Sequence, residues 1–108
     1  MMNLISLQQK VKDFVNKNNL DSPTEFRVLD LVSETGEVAK EILKMTNYGN
    51  SKLKINDEVK LELGDVLYSL LVVANKLDIN LDDSLNLVLA KYEKRLSKGS
   101  AGSESDKK

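Results

Sequence analysis

The sequence predicts an all-α protein, a bundle of four helices per chain, assembled as a helical homo-oligomer. Apolar residues recur at helical spacing in four separate segments, capping residues stand at the segment starts, and no alternating strand pattern exceeds a few residues. With 108 residues, 41% of them hydrophobic and 31% charged, the chain has room for one small domain. A chain this short buries only about two thirds of the surface it exposes when unfolded, which favours a partner chain and hence a homo-oligomer.

Ser6 is placed to cap a first helix reaching about Asn18, with Leu7, Val11, Phe14 and Val15 at helical spacing. Ser22-Pro23-Thr24-Glu25 joins a proline at the first helical position to a Ser-x-x-Glu capping box, so a second helix should run from Pro23 to about Met45. Asn47-Tyr48-Gly49-Asn50 ends it. Asn56 or Asp57 caps a third helix reaching about Leu77, and Asn80, with Asp83 three residues on, opens a fourth through Leu96. Residues 1–97 form the domain. The tail 98–108, KGSAGSESDKK, lacks apolar periodicity and is expected to be disordered, because Gly, Ser and charge cannot offset the entropy of ordering.

The 16 basic and 17 acidic residues leave a formal charge of -1, so no global field draws in DNA, RNA or an anionic membrane. Without Cys or His, the chain has no disulfides, no zinc site of the usual kind, no thiol nucleophile and no His-based triad. Chemistry must run on carboxylates, hydroxyls, Lys, Arg and a bound ion. The opening MMNLISLQQK has neither a basic nor a long apolar region, and no apolar run reaches the ~18 residues of a membrane span, so a cytoplasmic location is expected.

Unrolled at ~100° per residue, the third helix carries apolar residues in nearly every direction and is predicted to be buried all round. Into it are set Glu58, Glu62, Asp65 and Ser69, within roughly 60° of one another. Burying ionised carboxylates without partners costs several kcal/mol each, so this stripe calls for cations or a metal. Glu34, Glu37 and Glu41 share one side of the second helix, and Glu34 lies at the edge of the arc made by Leu31, Val38 and Met45. A solvated helix face is the plain alternative for Glu34 and Glu37, and interhelical salt bridging for Glu62 and Asp65. Taken jointly, two helices each presenting acids three apart can converge four carboxylates on one point. All-oxygen ligands favour Mg²⁺, or Mn²⁺, and Mg²⁺ held by carboxylates commonly takes substrate phosphates as further ligands. On the fourth helix Lys91 and Arg95, four apart, could hold phosphate oxygens beyond the ion's reach, although a solvated basic face at a helix C-terminus reads equally well.

Glu34-x-x-Glu37 followed by Glu62-Leu63-Gly64-Asp65 resembles the paired acidic signature of the MazG-like nucleotide pyrophosphohydrolases, in the all-α nucleoside triphosphate pyrophosphatase superfamily. The similarity covers roughly Phe26 to Arg95. It implies Mg²⁺-dependent hydrolysis of an NTP or dNTP to monophosphate and pyrophosphate, on a helical dimer or tetramer that clears the nucleotide pool. By the same resemblance Glu34, Glu37, Glu62 and Asp65 would be metal ligands, and Lys91 and Arg95 would bind substrate phosphate. The family's first motif commonly opens with two adjacent acids, whereas Ser33 stands here at the first. Glu41, one turn beyond Glu37, or Glu58, one turn before Glu62, could substitute, which makes Glu37 and Glu41 the candidate catalytic acids. Within the superfamily the alternatives are a dUTP- or dCTP-preferring enzyme and phosphoribosyl-ATP pyrophosphohydrolase. The last tends to carry His after the second motif's Tyr, where Ser69 follows Tyr68. From another class, a non-catalytic helical metal-binding or regulatory module would also retain these acids.

Overall fold

In a computed structural model, which describes residues 3–99, four helices follow one another: α1 (Leu4–Lys17), α2 (Thr24–Met45), α3 (Glu58–Lys76) and α4 (Leu81–Ser97). No strand occurs among the described residues. Of the tail expected to be disordered, residues 100–108 lie outside the described residues.

The helix starts refine the capping expectations. α1 begins earlier than Ser6: the Asn3 side chain accepts from the Ser6 backbone N–H at 2.8 Å, and the Ser6 hydroxyl accepts from the Asn3 N–H at 3.0 Å. Ser6 is thus the returning half of a capping box, not the cap. At α2 the expected Ser22 box does not form, because Pro23 is extended (φ -57°, ψ 146°) and itself occupies the cap position. Its carbonyl takes the first amides, those of Phe26 and Arg27, and Ser22 stands one residue too far out. Asn56, two residues before α3, accepts from the Val59 N–H at 2.9 Å. Asn80 caps α4 as expected, accepting from Asp82 and Asp83.

α2 and α3 pack along each other most extensively, α1 lies on α3, and α4 rests chiefly on α1. Asn47, Tyr48 and Gly49 have φ of 48°, 57° and 86°, a left-handed run that turns the chain back after α2. α3 therefore returns antiparallel to α2, and the Lys54 N–H bonds the Met45 carbonyl. Gln8, buried on α1, fastens the other side. Its amide donates to the Asn75 side chain and the Ile79 carbonyl, its oxygen accepts from the Leu81 N–H, and Asn75 returns a bond to the Gln8 carbonyl. One side chain thereby joins α1, the end of α3 and the start of α4.

The apolar core of the single chain is small: Val15, Met45, Val59, Leu71, Val72 and Ala74 are its buried members. α3 is not buried all round, as its composition suggests. Leu61 is 66% exposed, and Leu63, Leu67 and Leu70 also face outward, because α1 and α2 cover only part of its circumference. On α2, Leu29, Val32 and Leu43 are likewise uncovered, in a stripe at alternating three- and four-residue spacing completed by Gly36 and Ala39.

Gln8→Leu removes the side-chain partner of the Asn75 Oδ1, the Ile79 carbonyl and the Leu81 N–H in a half-buried setting, so urea titration should show a loss of about 3 kcal/mol with the helical signal of the folded state retained.

Candidate functional site

The alternating three- and four-residue spacing of Arg27, Asp30, Glu34, Glu37 and Glu41 lays five charged side chains down one side of α2. On α3, Glu58, Glu62, Asp65 and Ser69 repeat the pattern, and the antiparallel packing sets the two stripes against each other. Carboxylate oxygens of Glu34, Glu62 and Asp65 come within 4.8 Å of one another. Glu34 and Glu62 are half-buried while Asp65 opens to solvent. Three of the four acids expected at one point do converge there. Glu37 stays exposed beside the trio, close enough that its charge acts on Glu62.

Electrostatics make the arrangement costly as it stands. The Glu34 carboxyl is held above the ordinary value of 4.5, first by desolvation, then by the charges of Asp65 and Glu62 and by a hydrogen bond shared with Asp65. Glu62 is raised as well, by desolvation and then by Glu37, Asp65, Glu41 and Glu58. The ion pairs among the described residues, Arg27 with Asp30, Lys44 with Glu41 and Lys76 with Asp21, leave the trio unneutralised. Among the described residues, interhelical salt bridging, the plain alternative for Glu62 and Asp65, does not form. A hard divalent cation fits: three oxygen donors within one coordination sphere, each better off ionised once the cation is bound.

Beside the trio lies an open cleft of about 320 Å³, lined by Arg27, Asp30, Glu34, Asp65, Tyr68 and Ser69. Arg27 and Asp30 escape a reading confined to the ExxE spacing, yet they continue the Glu34, Glu37, Glu41 series backward by four and seven residues. That periodicity was the signal. Glu41 is only 6% exposed, with Oε1 accepting from the Asn56 amide at 3.1 Å and Oε2 from Lys44 Nζ at 3.3 Å. Since Asn56 also caps α3, Glu41 anchors the start of that helix to α2. Glu58 is exposed, as expected.

Lys91 and Arg95 sit elsewhere. Both lie over the Tyr92 ring on α4, at 5.1 and 5.9 Å from its centroid, and neither lines the cleft. Within one chain the sequence expectation of phosphate contact from these two is not met by position, because α4 docks on α1 and not across the α2–α3 seam.

This geometry stands on a familiar scaffold. A family model of the MazG nucleotide pyrophosphohydrolase domain matches residues 22–99. The chain belongs to the MazG family. Its fold superposes with a TM-score of 0.71 on the crystal structure of the Bacillus-conserved MazG protein, a nucleotide pyrophosphohydrolase, at 26% identity over 85% of this chain and 90% of that one. The crystal structure of YpjD from Bacillus subtilis also gives 0.71, at 25% identity over 85% and 96%. In sequence, the uncharacterized protein YpjD of Bacillus subtilis (strain 168) is 37% identical over 68 residues, a match spanning 60% of each chain. The MazG match takes in all three helices that carry Glu34, Glu62, Asp65, Lys91 and Arg95, and it leaves α1 outside. No helix among the described residues is long and apolar enough to cross a membrane.

The raised carboxyls set a pH dependence. Below the unfolded value near 4.5, Glu34 and Glu62 are neutral in folded and unfolded chains alike; as pH rises, the unfolded chain releases these protons first, so the metal-free fold loses stability through that window. Melting curves of metal-free protein should show this loss above pH 4.5, a smaller one for Glu62→Gln, and its reversal by Mg²⁺ at neutral pH.

Proposed function

We propose that this chain is a Mg²⁺-dependent nucleoside triphosphate pyrophosphohydrolase that converts an NTP or dNTP and water into the monophosphate and pyrophosphate. The observation that carries the reading is the convergence of Glu34, Glu62 and Asp65 without a neutralising cation, on the edge of an open cleft. Membership of the MazG family supplies the reaction class, and a nucleotide pyrophosphohydrolase is what the Bacillus-conserved MazG structure is described as. The oxygen-only donor set suits Mg²⁺, with Mn²⁺ as a second fit.

Glu34, Glu62 and Asp65 would hold the ion, and Glu37 would join them or take the proton of the attacking water. When bound, the ion neutralises phosphate oxygens and acidifies water. Water adds at the α-phosphate, its proton passes to Glu37, and the bond to the bridging oxygen breaks to release pyrophosphate. Positioning and electrostatics then carry most of the rate. Glu37 suits the base role because it is exposed and next to the trio, whereas the carboxylate oxygens of Glu41 are already engaged by Asn56 and Lys44. Glu41 contributes instead by fixing the α3 start and by its charge on Glu62.

The reading includes a homodimer or homotetramer. The uncovered stripes of α2 and α3 support it, since a chain with so few buried apolar residues gains its main core by covering Val32, which is 65% exposed, together with Leu63 and Leu67. Phosphate contact from Lys91 and Arg95 belongs to this assembled form, since within one chain neither lines the cleft.

Purified protein with Mg²⁺ should release pyrophosphate from one or more common or modified nucleotides, and Glu62→Gln should lower kcat by ~100-fold or more while removing the rise in Tm caused by Mg²⁺. A retained Tm rise with no pyrophosphate from any nucleotide would leave the metal-binding module in its place. Leu67→Glu should convert the assembly to monomers in sedimentation and lower Tm, since a charge in the contact has no partner.

A further inference from the structure

Among the described residues that line the cleft, Arg27 is the cation, and its hydrogen-bonding capacity is largely unspent. The side chain is only 11% exposed. Nη2 donates to the Leu20 carbonyl, Nη1 stands 3.9 Å from Asp30 Oδ2, and buried Nε finds no acceptor among the described residues. The Asp30 contact is too long for a hydrogen bond, and Asp30 itself is 58% exposed, so water competes for it. A guanidinium carries five donors in a planar fork, matched to carboxylate or phosphate oxygens. Folds seldom keep one largely buried with so few acceptors.

The charge of the surroundings gives the direction. Asp30, Glu34 and Asp65 share the cleft walls with Arg27, and Glu62 stands at their edge. A cleft of carboxylates repels a polyphosphate, even after one divalent cation is bound, unless a fixed cation also faces it. Arg27 lies two helical turns from Glu34 along the same side of α2, which puts it where phosphates extending away from the trio would pass.

We propose that Arg27 is a substrate-binding residue that grips the pyrophosphate portion of the nucleotide, the oxygens the metal does not hold, and exchanges its loose Asp30 contact for them. The inference rests on the pyrophosphohydrolase reading. It supplies from within the chain the anion contact that Lys91 and Arg95 do not provide there. Asp30 then acts as a gate on the guanidinium, occupying it when the cleft holds no anion.

The test measures nucleotide turnover, and separately the binding of inorganic pyrophosphate with Mg²⁺ by calorimetry, for the full chain. Arg27→Gln should weaken pyrophosphate binding and raise KM together by about tenfold or more, with the Mg²⁺-induced rise in Tm intact. Arg27→Lys, which keeps the charge and loses the fork, should fall between. Asp30→Asn should tighten pyrophosphate binding more when Arg27 is present than in the Arg27→Gln background, where only relief of carboxylate repulsion remains, and the difference is a coupling that a merely structural arginine would not produce. Unchanged pyrophosphate affinity in folded Arg27→Gln, or an Asp30→Asn effect of the same size with and without Arg27, overturns the assignment. Should Arg27→Gln not fold, Arg27→Lys replaces it in the same cycle, and a pyrophosphate affinity equal to that of wild type then overturns the assignment. If wild type turns over no nucleotide, the pyrophosphohydrolase reading fails while the calorimetry still decides whether Arg27 binds the anion. If wild type turns over and the cycle shows no coupling, only the role of Arg27 falls.

Discussion

The mutual repulsion of carboxylates across the α2–α3 seam governs the rest of the structure. Packing of Met45, Val59 and Val72 and the Asn56 bonds to Glu41 and Val59 hold two acidic stripes together that electrostatics alone would drive apart. The metal-free chain carries this as raised carboxyls at Glu34 and Glu62. Stability and binding are thus set against each other in the same few side chains, as is common where a ligand supplies the missing charge.

α1 and α4 serve the seam from behind. Through Gln8, α1 clamps the end of α3 and the start of α4, and so fixes where the last turn of α3 ends. The MazG match omits α1, and this clamp explains why the chain retains it: without α1 the buried face of Val72 and Asn75 would open to water. The uncovered sides of α2 and α3 point away from the seam, so an assembly that covers them leaves the acidic cleft free.

Much of the architecture was legible in the sequence because helical periodicity and capping are local. All four helices appear near their expected limits, and the two acid pairs read as halves of one feature, three of whose four carboxylates lie within 4.8 Å of one another. What was not legible depended on tertiary placement. The apolar circumference of α3 says that something covers it, not whether the cover is the same chain. The burial of Glu41 depends on Asn56 reaching back to its carboxylate, and that of Arg27 comes with a bond from its guanidinium to the Leu20 carbonyl, neither of which local spacing shows. Lys91 and Arg95 show the reverse case, a correct spacing placed on a helix that goes elsewhere in the single chain.

The way α3 is started has a consequence for how this chain can vary. Its phase against α2 is held by Asn56, which touches Glu41 on one side and the Val59 amide on the other, rather than by the length of the segment leading to it. Insertions between Tyr48 and Ile55 can therefore bulge outward and leave the acids aligned. A single residue added within α2 between Glu34 and Glu41 would turn one part of the stripe by ~100° relative to the other. The segment between these helices is free to drift in length across descendants, while the interior of α2 is locked to its frame.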